Sequence, residues 1–264
     1  MISVIITYFN KGMLLLNAIK SVTVQDEFCE IIVVDDCSTN TDAIKTIEQV
    51  RRMEGITVIK TDLNKGAAFA KNTGILNASY DIIVLLDADD TLPKNSLKKI
   101  KDLFLSDDRI DMIFGDYILY NVDTQQKKRI HCKRITKNNL VDPYKLSRNW
   151  IMLGTSPFRK KLWFNIGGFN NLLPRTDDID FQKRAMLLNA NIQYEPTVLY
   201  IWNKYPDGNN SNIKESDYIY SFFSTLEFEI KYSSPRRFLS MLIKINIIFI
   251  KRIVNFFKPQ TFLD

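Results

Sequence analysis

A chain of 264 residues with 45% hydrophobic side chains is long enough for one large α/β domain with an appendage or for two small domains, and nothing in its composition reads as disordered. Three cysteines (Cys29, Cys37, Cys132) without a CxxC pair argue against a disulfide framework or structural zinc site, and a reducing compartment fits best. One histidine, His131, leaves little room for His-rich metal sites, and a net charge of +6 suits phosphorylated substrates, anionic lipid or nucleic acid without choosing among them.

The opening Met1–Ile6 is apolar but too short for a signal peptide, and reads as a strand that starts the fold. Ser3 to Thr7 is a β-branched run typical of a buried parallel strand. Met13 to Val24 has helical spacing, and Glu30 to Val34 is a second strand ending in Asp35-Asp36. Ser38, Thr39 and Asn40 are cap candidates for a helix over Thr41 to Met53. A strand at Ile56 to Ile59, a helix at Gly66 to Ala78 and a strand at Asp81 to Leu86 follow, the last ending in Asp87-Ala88-Asp89-Asp90. Pro93 to Phe104 is predicted as a helix with proline at its start. Strand and helix alternating in units of roughly 25–30 residues predict a mostly parallel sheet flanked by helices.

Past Ile110 the rhythm changes. Strands are predicted at Ile110 to Asn121, Lys128 to Ile135, Leu153 to Phe158 and Ile192 to Trp202, the last with Pro196 near an edge. A helix is predicted at Asp177 to Leu188. Tyr205 to Asn212, rich in Pro, Gly and Asn, is a loop. A main domain is therefore drawn over 1–212, in two halves at 1–109 and 110–212. Residues 213–264 form a helical C-terminal extension.

In a parallel sheet, ligands bind beyond the carboxyl ends of the strands. Three strand ends here are polar: Thr7-Tyr8-Phe9-Asn10, Asp35-Asp36 and Asp87-Ala88-Asp89-Asp90. Side by side they would crowd up to five carboxylates into one pocket, which calls for a cation. Oxygen ligands without nearby histidine favour Mg²⁺ or Mn²⁺. Asp36 and Asp90 taken singly are equally well explained as helix caps; the three ends together are not.

These residues resemble the family 2 glycosyltransferases over about residues 2–205. The resemblance is carried by Ser-Val-Ile-Ile-Thr-Tyr-Phe-Asn (3–10), Ile-Val-Val-Asp-Asp-Cys-Ser (32–38), Asn64-Lys65-Gly66 through Ala70-Lys71-Asn72, and Leu-Asp-Ala-Asp-Asp (86–90). Gly167-Gly168-Phe169 followed by Asp177-Asp178-Ile179-Asp180 completes it. It implies a GT-A fold and an inverting, non-processive transfer of one sugar from a nucleoside-diphosphate donor, preferably a UDP-hexose or UDP-N-acetylhexosamine, to an acceptor hydroxyl.

Roles follow from the resemblance position by position. Thr7, Tyr8 and Phe9 would belong to the base pocket, and Asp36 would accept from the base, most simply uracil N3–H. Lys71, Asp87 and Ala88 would lie on the nucleotide-sugar, and Asp89 would bind the Mn²⁺ or Mg²⁺ that holds the diphosphate. Gly168 and Asp177 would lie on the acceptor side, with Asp178 the general base. Lys71 stands where the family usually has Arg, which turns a bidentate contact into a point charge. Asp177 stands where Glu is usual. No QxxRW motif is present, since Gln182 is followed by Lys183-Arg184-Ala185, which argues against a processive polymerase. Near Trp202, Asn203, Asp207 or water would have to complete the metal shell.

The tail has a pattern of its own. Arg237, Lys244, Lys251 and Lys258 recur every seven residues, and no acidic residue lies between Ile230 and Leu263. This reads as a basic amphipathic helix at an anionic membrane surface, implying a lipid-linked glycan acceptor and a peripheral position at the inner face of the cell membrane. The competing reading is a helix packed on protein. A nucleic-acid partner is not expected, because no nucleic-acid-reading module accompanies the tail. The alternatives to a transferase are a sugar-phosphate nucleotidyltransferase, for which Tyr8-Phe9-Asn10-Lys11-Gly12 is a poor phosphate loop, and a catalytically silent nucleotide-sugar or membrane-binding module. Loops such as 143–157 and 203–213 are expected to hold the choice of sugar and acceptor.

Overall fold

The computed structural model describes residues 1–132, 155–173, 175–206 and 215–232. Four strands, β1 (Ile2–Tyr8), β2 (Cys29–Asp35), β3 (Ile56–Lys60) and β4 (Ile82–Asp87), pair in parallel. They are linked by helices α1 (Leu14–Thr23), α2 (Thr41–Arg51) and α3 (Ala67–Asn77), and α4 (Ser96–Ser106) follows β4. The second half adds β5 (Met112–Asn121), β6 (Lys127–Ile130), β7 (Phe158–Arg159), α5 (Lys160–Asn165), α6 (Asp177–Leu187), β8 (Ile192–Lys204) and α7 (Glu215–Tyr232). All eight strands join one sheet in the order β3-β2-β1-β4-β7-β5-β6, with β8 paired to β5. β8 runs parallel to β5, whereas β6 and β7 run antiparallel to their neighbours.

Alternation along the strands builds two core layers. Ile2, Val4, Ile6 and Tyr8 of β1, with Ile82, Val84 and Leu86 of β4, face a cluster that includes Leu15 of α1, Ile47 of α2 and Leu97 of α4. Ile5 of β1, with Ile83 and Leu85 of β4, faces the opposite cluster, which includes Ala70 of α3, Leu162 of α5 and Phe181 of α6. A period of two places successive side chains in different layers, and that parity decides which strand-end residues reach the site.

Several local signals act as expected. Asn40 caps α2, its Oδ1 accepting from Ala43 N at 2.7 Å. Pro196 falls where β8 bulges against Gly115 and Asp116 of β5, a position at which its missing N–H breaks no ladder bond. Other boundaries differ. Pro93 lies in a turn closed by Ser96 N donating to its carbonyl at 3.2 Å, and α4 begins only at Ser96, after left-handed Asn95. The strand expected at 128–135 is the short β6, residues 133–135 of it lying outside the described residues. Of the strand expected at 153–158, the described part is the two-residue β7, and α5 follows it directly.

Helix α7 packs on α6. Thr176 Oγ1 donates to the Asp217 carbonyl at 3.0 Å, Asn170 Nδ2 donates to Ser224 Oγ at 2.8 Å, and Phe228 joins the core layer of α3, α5 and α6. Among the described residues no helix is long and apolar enough to cross a membrane. The basic tail at 236–258, Asp207, and most of the loops 143–157 and 203–213 lie outside the described residues.

Candidate active site

The chain leaves β1 for β2 and β3 on one side, then returns to β4 on the other. The carboxyl ends of β1 and β4 thus flank a topological switch point, where parallel sheets bind ligands. Thr7 and Asp87 are register partners there, and Thr7 Oγ1 donates to Asp87 Oδ1 at 3.1 Å. Ala88 N continues the pairing by donating to the Thr7 carbonyl at 3.1 Å.

Strand parity separates the expected donor-side residues. Tyr8 does not reach the crevice with its side chain. It is 1% exposed in the layer under α1 and α2, and its hydroxyl donates to the Ala43 carbonyl at 3.1 Å. Burial pushes that phenol up to about 12. The Ala88 methyl is buried in the same layer, so only its backbone belongs to the crevice edge. Phe9, just past β1, is 39% exposed.

Asp36 is 3% exposed and organises the loop before α3. Its Oδ1 accepts from Thr61 Oγ1 and Lys65 N, both at 3.1 Å, and its Oδ2 accepts from Gly66 N at 2.7 Å. A carboxylate offers about four acceptor sites, so these three donors leave one. Asn10, in a left-handed conformation, ties the β1 turn to the β2 turn: its Oδ1 accepts from Thr39 N at 2.9 Å and Asn40 N at 3.0 Å.

Past β4 each acid has a different partner. Asp90 is buried, and accepts from the Tyr200 hydroxyl and from Asn203 N, both at 2.7 Å. Burial, with Asp87 and Asp89 close by, pushes its carboxyl well above the usual range. Burial also raises Asp87, against the pull of Lys71. The Asp89 side chain is 20% exposed, and its Oδ2 is paired with Lys11 Nζ at 2.5 Å. Asn203 Nδ2 donates to the Asp89 carbonyl at 2.9 Å.

Among the described residues no group of three or more His, Cys, Asp or Glu side chains is assembled to hold a metal ion. The crowding that raises Asp87 and Asp90 nevertheless favours a cation, and carboxylates are the hard donors that Mg²⁺ and Mn²⁺ select. The set fits an ion held by one or two carboxylates and completed by substrate phosphates, rather than an all-protein cage.

The residues expected on the acceptor side lie on α3, α6 and the turn between α5 and α6. Lys71 is 6% exposed and donates to Asp177 Oδ2 at 2.7 Å. Its burial disfavours the charge, but Asp177, then Asp87 and Asp178, outweigh it and hold the ammonium above its ordinary value. Asp177 is thus engaged by Lys71, not by solvent. Asp178, the next residue, is partly exposed, and its Oδ1 accepts from Ile179 N at 2.7 Å. Burial first and Asp177 second push its carboxyl up to about 6. Gly168 has a left-handed φ of +75°, and a Cβ there would lie 3.0 Å from Asn72 Oδ1, tighter than side chains normally pack. Asn72 Oδ1 accepts from Trp163 Nε1 at 2.8 Å and from Phe169 N at 2.9 Å, which fixes that turn against α3.

Three participants escaped the sequence reading. Lys11 and Tyr200 reach the β4 acids from sequence separations of 78 and 110. Trp163 sits on a helix that was not expected. Their only local signal was the placement of Lys11 directly after a strand-end Asn.

Comparison with known proteins agrees with this fold. Glycosyltransferase GlyG of Streptococcus pneumoniae is 27% identical over 217 residues, 77% of this chain and 71% of that protein. The Escherichia coli UDP-Glc:alpha-D-GlcNAc-diphosphoundecaprenol beta-1,3-glucosyltransferase WfgD is 29% identical over 142 residues, 53% of this chain and 55% of its own. In two further relatives the matched stretch is 60% and 35% of their length. The fold matches crystalline Staphylococcus aureus TarS 1-349 in complex with UDP-GlcNAc, with a TM-score of 0.65 at 21% identity, covering 88% of this chain and 73% of that one. Residues 3–170 match Glycosyl transferase family 2, and with the GT-A architecture and the strand-end acids in place, the chain belongs to that family.

Proposed function

We propose that this chain is an inverting, non-processive glycosyltransferase that moves one hexose or N-acetylhexosamine from a UDP-sugar to an acceptor hydroxyl, with Asp178 as general base. The observation that carries the reading is Asp178 itself. It is a partly exposed carboxyl pushed to about 6, on the same side of the sheet as Asp87 and Lys71. A base with that affinity is ionised at neutral pH yet retains drive to take a proton as the hydroxyl attacks. A single displacement needs only this one carboxylate on the acceptor side, and an α-linked donor would give a β-glycoside.

On the donor side, the last acceptor site of Asp36 suits uracil N3–H, and Phe9, directly after β1, offers an exposed ring. Lys71, charged and bonded to Asp177, orients the acid pair of α6. Asp89, with Asp87 behind it, would hold Mn²⁺ or Mg²⁺, which when bound supplies charge stabilisation for the departing diphosphate. UDP-sugar use is supported by the UDP-GlcNAc named for TarS and the UDP-Glc named for WfgD. A lipid-linked acceptor in surface polysaccharide or glycoconjugate synthesis is supported by the diphosphoundecaprenol in the name of WfgD. The basic periodicity of 236–258 supports a site at the inner face of the cell membrane.

The test is UDP release from a panel of UDP-sugars with Mn²⁺ and a membrane lipid extract. One donor should be consumed, and Asp89→Ala and Asp178→Asn should each abolish turnover while Asp178→Asn still binds UDP. UDP binding without turnover of any donor would support a silent module, and undiminished turnover by Asp178→Asn would remove it as the base.

A further inference from the structure

We propose that Lys11 is the internal counter-ion of Asp89: it holds that carboxylate while the donor is absent and releases it to the divalent cation as the donor's diphosphate arrives. This rests on the metal reading of Asp89 above.

Each acid at the end of β4 has a different neutralising arrangement. Asp90 is held by Tyr200 and Asn203, groups fixed in β8. Asp87 is held by Thr7 and lies near the buried ammonium of Lys71. Asp89 alone of the three is ion-paired with a partly exposed lysine side chain. The backbone at Lys11 is anchored, because Asn10 before it is bonded to Ser38, Thr39 and Asn40, and Leu14 N donates to the Lys11 carbonyl. Its four-carbon stem is not anchored in this way, and the side chain is 29% exposed.

Asp89 Oδ2 is therefore a contested acceptor. A divalent ion binding alone must displace the ammonium and then tolerate a positive charge a few ångströms away. A diphosphate removes both penalties, since its oxygens give the three ammonium donors a new partner and complete the shell of the ion. Metal and nucleotide should then bind with positive coupling, and that coupling must be reciprocal. Premature metal binding is suppressed by the same contact.

The experiment is titration of the whole chain with Mn²⁺, following the free-ion electron paramagnetic resonance signal, with and without UDP. UDP affinity is measured in parallel by calorimetry, with and without Mn²⁺. Lys11→Met keeps the apolar stem without the charge, and losing a partly exposed pair should leave the fold intact. Without UDP it should bind Mn²⁺ about fivefold more tightly than the wild type, and the Mn²⁺–UDP coupling should shrink by a similar factor. Lys11→Arg, which keeps the charge and gains a fork, should bind Mn²⁺ without UDP no more tightly than the wild type. If the wild type binds Mn²⁺ with UDP but Lys11→Met shows unchanged or weaker Mn²⁺ affinity without it, the counter-ion role is overturned and the metal assignment stands. If the wild type binds no Mn²⁺ even with UDP, the metal assignment falls and this inference falls with it.

Discussion

Asp178 illustrates how one residue is set by its neighbours. Asp177 precedes it on α6 and is neutralised by Lys71, while Asp178 is left partly buried without a cation of its own. Its carboxyl, pushed to about 6, ionises later than a free aspartate. The proposed base role requires the ionised form, so kcat/KM should rise with pH through about 6 and level off above it. The stability linkage has the opposite sense. The folded protein holds this proton more tightly than the unfolded chain, so the stabilisation is complete below the ordinary aspartate value and is lost as pH rises through about 6. Asp178→Asn should therefore be inactive yet more stable than wild type at pH 8, by about 1–3 kcal/mol, and the difference should vanish near pH 4. Thermal unfolding at the two pH values measures it, and equal stability at pH 8 would show the charge is not strained.

At the scale of elements, the site depends on how closely α3 lies on β1. Gly74 is one turn beyond Lys71 on α3, and a Cβ added there would fall inside the side chain of Ile5, itself fully buried. Alanine normally favours a helix over glycine by up to about 1 kcal/mol. Here overpacking against Ile5 should outweigh that gain, because the crowded partner is mid-strand and cannot swing aside. Gly74→Ala should cost roughly 1–2 kcal/mol in urea unfolding and lower transferase activity by shifting the Lys71–Asp177 pair. An unchanged or raised midpoint would mean that α3 has room to move. The same contact explains why Asn72 reaches Trp163 and Phe169: α3 must lie deep for its next face to meet the Gly167-Gly168 turn.

At the scale of the whole molecule, α7 belongs to the body that carries Asp178. Ser221 and Thr225 are fully buried, and Phe228 lies in one core layer with Ile5, Phe158 and Phe181. A chain ended at Asn212, the boundary drawn from composition, would bare that layer above α6. We expect such a truncation to unfold roughly 5–10 °C lower than the full chain, or to aggregate. Differential scanning calorimetry decides the matter, and an unchanged transition would make residues 1–212 an autonomous domain.

By itself the sequence determined the alternating elements of the first half, the three polar strand ends and the ordered motifs that place the chain in its family. These are local properties. β-branched runs mark strands, Asn40 marks a helix start, and acids directly after a strand lie at its carboxyl end whatever the rest of the chain does. Tertiary structure decided which of those residues act together. Thr7 and Tyr8 are neighbours in sequence, yet the pleat sends one into the crevice and the other beneath α2. Lys71 finds Asp177 across a separation of 106, and Lys11 finds Asp89 across 78, because parallel strands bring their ends together only after each intervening helix has crossed the sheet. Such pairings leave no periodicity in the sequence, since they depend on strand order and on how near each helix packs.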